Sequence, residues 1–133
     1  MTKQQRKIIE REFYRYKWNK AQAENYAVCA VAYDSKAPDG ERVKTSGGNA
    51  NEQLVIRAIY DQERMRGWCM VFEKTLDKFY CDLKDELMKK KYIERKSRGR
   101  ICREIGIAER TYDYWLSDIL CIAYFRAKDL KLL

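Results

Sequence analysis

An all-α fold is what this sequence predicts: long N-terminal helices forming a hairpin or dimerisation bundle, followed by a C-terminal helix-turn-helix. Three observations carry that expectation. Apolar residues recur at threes and fours along most of the chain, the period of a helix rather than the alternation of a strand. A single proline stands among 133 residues, so little interrupts helical runs. Residues 97–120, SRGRICREIGIAERTYDYWLSDIL, hold two short apolar patterns separated by a glycine. Residues 1–80 then form a helical hairpin or oligomerisation region with a flexible linker at 34–51, and residues 81–133 a helix-turn-helix DNA-binding domain.

Thr2 to Tyr33 reads as one helix, because Ile9, Phe13, Tyr16, Ala23, Tyr26, Ala27 and Ala30 make one apolar stripe with no proline or glycine between them. Phe13, Tyr14, Tyr16 and Trp18 interleave with Arg11, Arg15, Lys17 and Lys20. Such a mixture can stack on single-stranded bases, but a core face of Phe13 and Tyr16 with a packing or dimer edge at Tyr14 or Trp18 is the favoured reading. Asp34 to Asn51 is the linker, since Pro38, Gly40, Gly47 and Gly48 break regular structure. GGNAN lacks the lysine and hydroxyl ending of a phosphate loop.

Asn49 or Asn51 is the expected cap of the next helix. Leu54, Ala58, Met65, Trp68, Phe72, Leu76, Phe79, Leu83 and Leu87 follow the helical period along it, with a break expected near Gly67 or a bend around Tyr80. Its front packs antiparallel on the first helix. Lys84 to Ile93 is the outer helix of the C-terminal unit, with Leu87, Met88 and Tyr92 inward and Lys89 to Lys91 toward solvent or phosphate.

Ile101 and Ile105 share a face of the next, short helix, and Gly106 ends it because glycine takes the left-handed conformation without strain. Ile107 plugs the turn. A second helix starts near Ala108 or Glu109 and carries Tyr112, Trp115, Leu116 and Ile119. Ile101, Ile105, Ile107, Tyr112 and Trp115 form a small shared core, and Cys102 is the small residue where helices cross closely. Ala108 offers no oxygen to cap the second helix, which is the weak point of the pattern. The apolar tail from Ile122 to Leu133 packs back on the long helix or on a second copy.

Charge singles out the same region. Between Lys89 and Arg103, eight cations (Lys89, Lys90, Lys91, Arg95, Lys96, Arg98, Arg100 and Arg103) face one carboxylate, Glu94, a net of +7 in a chain of +8. The first twenty residues carry seven positive and two negative charges. A basic run directly before a reading helix is where DNA phosphates lie when that helix enters the major groove. The side chains that face outward on the second helix, Ala108, Glu109, Arg110, Asp113, Tyr114 and Ser117, are the candidates for base readout, with Arg110 forked onto guanine. The eight cations are the candidates for phosphate.

Other chemistries find little support. Five scattered cysteines with no CxxC pair and no histidine point away from a zinc site and from histidine-based catalysis. Cys29, Cys69, Cys81, Cys102 and Cys121 read as small reduced core residues. No cofactor and no enzymatic activity are expected. No stretch of about twenty apolar residues and no signal-peptide pattern is present; the expectation is a cytoplasmic protein without membrane contact.

The residues YIERKSRGRICREIGIAERTYDYWLSDIL resemble the C-terminal helix-turn-helix of RinA/ArpU-type phage regulators, which are similar in turn to region 4 of sigma-70-type factors. The shared features are Tyr92 before the basic run, the Ile105-Gly106-Ile107 turn and the Glu109-Arg110-Thr111-Tyr112 start of the last helix, with Ala108 where serine is usual. The resemblance covers the last third of the chain well and the rest loosely. It implies control of late phage genes, including those for packaging and morphogenesis. The expected function is therefore sequence-specific double-stranded DNA binding in transcription regulation, by a homo-oligomer, with RNA polymerase as a further partner. The alternative is a phage packaging adaptor or polymerase-interacting module that uses the same fold without reading bases.

Overall fold

A computed structural model describes residues 1–24 and 45–133, with side chains described outside residues 45–51. Every element among the described residues is helical. They are α1 (Lys3–Tyr14), α2 (16–24), α3 (Thr45–Lys78), α4 (Leu83–Met88), a π-helical turn (Lys89–Ile93), α5 (Arg98–Ile105) and α6 (Glu109–Asp129). None is long and apolar enough to cross a membrane.

α1 starts with a reciprocal cap: the Thr2 hydroxyl accepts from the Gln5 N–H, and the Thr2 N–H donates to the Gln5 side-chain oxygen. The expected single helix from Thr2 is interrupted at Arg15, whose backbone leaves the helical region at φ −93°, ψ 9°. Tyr26, Ala27, Cys29 and Ala30, the rest of that expected stripe, lie outside the described residues. The linker is shorter than expected at its far end, because Thr45 to Asn51 is already helical. Asn49 and Asn51 are consequently interior to α3 and do not cap it.

α3 runs through Gly67 without a break. A Cβ at Gly67 would sit 3.2 Å from the Leu132 methyls, so the glycine admits the returning C-terminus against the helix. The helix ends at Lys78 and Cys81 turns the chain at φ 65°, which is where a bend around Tyr80 was expected. Asp82 caps α4 by accepting from the Lys84 N–H.

One core holds these elements together. Ile9 and Phe13 of α1, Trp68, Val71 and Phe72 of α3, Leu87, Met88 and Tyr92, and Ile119, Leu120, Ala123 and Ala127 of α6 are all buried in it. Phe13 meets Phe72 edge-on at 5.0 Å and Tyr92 at 5.3 Å, the offset geometry aromatic pairs prefer. N-terminal and C-terminal helices thus share their apolar faces in a single cluster. Two buried polar side chains in this interior have local partners, Thr75 donating to the Val71 carbonyl and Asn19 to Glu12, whereas the Trp68 indole N–H is buried without one among the described residues.

α6 does not stop at Leu120. It continues to Asp129 as one helix of 21 residues, and its second half lies on α3. The expected tail is the same rod as the candidate reading helix. Two expectations about burial are corrected here. Leu54, placed on the core stripe, is exposed, as are Ile56, Ile59 and Tyr60 beside it on the front of α3. Cys81 and Cys121, placed in the core, are exposed, whereas Cys69 and Cys102 are buried as expected. Burial pushes the Cys69 thiol up to about 11, which keeps it protonated and inert at neutral pH.

Candidate nucleic-acid interface

The turn between α5 and α6 is built by two backbone bonds. Gly106 adopts φ 81°, and both its N–H and that of Ile107 donate to the Cys102 carbonyl, at 2.9 and 3.0 Å. The longer of these closures satisfies an end carbonyl of α5 and swings the chain off the helix axis. Ser97 caps the other end by accepting from the Arg100 N–H. Ala108 then sits extended at φ −76°, ψ 155° with no side-chain cap, and α6 begins at Glu109.

Tyr112, Leu116, Ile119 and Leu120 fill the inward face of α6. At about 100° per residue that leaves the opposite face of its first two turns to solvent. Arg110, Asp113, Tyr114 and Ser117 are exposed there, and Ala108 and Glu109 are exposed at the open start of the helix. Ile105, Ile107 and Trp115, assigned to the small core, are only half-buried; Ile101 and Tyr112 are fully buried. Leu116, one residue on, takes the deep position that Trp115 was given.

The eight cations behave differently from a solvated basic run. Lys90 and Lys96 both reach the Glu104 carboxylate, at 3.4 and 2.9 Å, and Arg100 approaches it at 3.7 Å. Lys96 also meets Glu94 at 3.4 Å. Hydrogen bonding to Lys96 holds the Glu104 carboxyl below its ordinary range, and the same bond raises the lysine. Arg98 is 2.6 Å from Asp113 and also reaches the Glu109 carbonyl at 3.4 Å. Lys89 pairs with Asp85 one turn back on the same side. Arg103 is exposed and has no ion pair among the described residues.

Lys91 and Arg95 look the other way, toward α1. The Lys91 ammonium lies 5.5, 5.4 and 5.9 Å from the ring centres of Tyr14, Tyr92 and Tyr112. Burial opposes its charge, but the Tyr14 and Tyr112 phenols outweigh this and its pKa is raised. Arg95 donates to the Tyr14 carbonyl at 3.0 Å from a left-handed backbone, φ 55°. The π turn makes this possible. Glu94 N–H closes on Lys89, Lys96 N–H closes on Lys90, and the wider turn rotates Tyr92 into the core while Lys91 lies against Tyr14.

Of the residues expected to meet phosphate, Arg103 projects from α5 with no ion pair among the described residues, Lys89 and Arg100 are exposed but meet Asp85 and Glu104, and Lys90, Lys91, Lys96, Arg95 and Arg98 are held by this chain's own groups. Sequence reading missed Glu104 as the centre of that network and Tyr14 as a partner of the basic run. Glu104 four residues after Arg100 was a legible signal; its meeting with Lys90 and Lys96 across a turn was not. Among the described residues no group of histidine, cysteine and carboxylate side chains is placed to hold a metal ion. Comparison with known proteins finds no matching family model, no similar curated protein and no similar solved structure.

Proposed function

We propose that this protein is a sequence-specific double-stranded DNA-binding transcriptional regulator that presents the start of α6 to the major groove. One observation carries the reading. Directly after the left-handed Gly106, the first two turns of α6 expose polar side chains around Arg110, with Arg100 and Arg103 exposed on the helix before it. A side chain early in such a helix reaches base edges, and cations on the preceding helix reach the backbone. Arg110 forks onto a guanine; Glu109 accepts from a cytosine amino group or orients Arg110. The resemblance to RinA/ArpU-type regulators in the Ile105-Gly106-Ile107 turn and the Glu109 to Tyr112 stretch supports a role at phage or prophage late genes, acting in the cytoplasm beside RNA polymerase.

A second reading, a packaging adaptor or polymerase-binding module, is favoured by a different feature. Ile56, Ile59 and Tyr60 are exposed within about 100° of one another on the front of α3, an apolar face suited to a protein partner or to a second copy in a homo-oligomer.

Selection of bound sites from random duplex DNA at moderate salt separates the two. An enriched motif is the expected result, and a palindromic motif also reports a dimer. Duplexes recovered without any enrichment, or not at all, overturn base reading and leave the protein-binding module.

A further inference from the structure

We infer that the outer face of α1 and α2 is a second, sequence-independent track for the DNA backbone, continuous with the α5–α6 unit; the inference rests on the DNA-binding reading above. Lys3, Lys7, Arg11, Tyr14 and Trp18 follow one another at four, four, three and four residues, and Arg15 flanks Trp18. All six are exposed. The opposite face explains why. Ile9, Phe13, Asn19 and Ala23 are buried against the core, so helical periodicity forces this cationic and aromatic stripe outward.

Two contacts join the stripe to the candidate interface. Tyr14 lies against Lys91, whose ammonium also faces the Tyr112 ring at the start of α6. Arg95, in the basic run, donates to the Tyr14 carbonyl. The stripe on α1 therefore adjoins the basic run at Tyr14, where Lys91 and Arg95 meet it, while Tyr112 lies buried beneath Lys91. The left-handed backbone at Arg95 is the strained element of this junction, and its guanidinium is what fastens α1 there.

The chemistry fits a polyphosphate strand. Four residues of helix rise about 6 Å, so Lys3, Lys7 and Arg11 are spaced like alternate phosphates of one strand, each about 3.4 Å apart along the duplex axis. Lys3 and Lys7 have no ion pair among the described residues; Arg11 meets Glu12 at 3.1 Å and remains largely exposed. Arg15 is held flat over Trp18 at 4.5 Å, which orients its fork without neutralising it. The backbone contacted is that of the duplex flanking the site read by α6. Trp18 serves as a rest for Arg15 on this reading and not as a stacking surface for bases.

The test compares the full chain with Lys7→Gln/Arg11→Gln on duplexes of one and two helical turns, by salt titration of affinity, with circular dichroism to show that both fold alike. On two-turn duplexes the variant's slope of log affinity against log salt should be shallower by about 1.8, for two phosphates at about 0.9 each. On one-turn duplexes the two proteins should coincide. Equal slopes at both lengths overturn the track and leave base reading intact, as does an equal loss at both lengths, which places these cations inside the primary footprint. Tighter binding to a single strand than to the two-turn duplex overturns it in favour of base stacking on Trp18. An unmodified chain that binds no duplex at all overturns both proposals.

Discussion

The Arg98 guanidinium sits 2.6 Å from the Asp113 carboxylate, bridging α5 to the outer face of α6. Arg98 is among the residues expected to bind phosphate and Asp113 among those expected to read bases, and here they pair with each other. Both are about half exposed, so the pair contributes less than about 1 kcal/mol to stability, and its importance lies in what it withholds from a ligand. Asp113→Asn should leave the melting temperature nearly unchanged while freeing Arg98 for phosphate. Affinity for random duplex should rise and the salt slope steepen by about 0.9. An unchanged slope would show that Arg98 cannot reach the backbone.

Arg110 separates reading from sticking. Its side chain is exposed on the first turn of α6, where the proposed function has it fork onto guanine. Arg110→Ala should cost about 1–3 kcal/mol on the selected site and little on random duplex. Equal loss on both would make Arg110 a phosphate contact and misplace the reading face.

Glu104 already meets Lys90, Lys96 and Arg100, so on the proposed function fewer charges of the basic run are free for phosphate than its composition suggests. Lys90→Ala should leave the salt slope unchanged because its charge is already met, whereas Arg103→Ala should lower it by about 0.9. The same network gives a pH dependence. Glu104 has a depressed pKa in the folded protein. Its contribution to stability is therefore full above the ordinary carboxylate range and is lost as pH falls through the lower, folded value. The stability difference between the unmodified chain and Glu104→Gln, followed by chemical denaturation against pH, should shrink to nothing on the acid side. A difference that is constant with pH would mean Glu104 acts through something other than its charge.

Ala108 is extended as a capping residue should be, and it leaves the first N–H groups of α6 without a side-chain acceptor. Ala108→Ser should stabilise the protein by about 0.5–2 kcal/mol, read as a shift in the denaturation midpoint at constant slope. Destabilisation would indicate that the α6 N-terminus is satisfied in another way.

Leu120 is fully buried on α6, while Trp115 is only half-buried. Leu120→Ala should cost about 2–5 kcal/mol by leaving a cavity. Trp115→Ala should cost less despite the larger side chain, because part of its ring is already in water. A Trp115 variant that melts lower than the Leu120 variant would reverse the assignment of depth along α6.

Local pattern and tertiary placement divided the information in this chain. Helix, turn and inward face were legible wherever one side chain's neighbours lie within a turn or two. Gly106 ends α5 because a left-handed residue is needed there, and Tyr112, Leu116 and Ile119 face inward because 3.6 residues make a turn. The exposure of Arg110, Asp113, Tyr114 and Ser117 follows from the same arithmetic. What the sequence left undecided depends on groups far apart along it. Leu54 has the right period for a core stripe, but it is exposed on α3. Lys90 and Lys96 look like phosphate ligands until the α5 turn brings Glu104 to them. Tyr14 and Lys91, more than seventy positions apart, meet only because the π turn and the break at Arg15 orient both toward the same groove. Periodicity fixes which way a side chain points; only the packed fold decides what is waiting there.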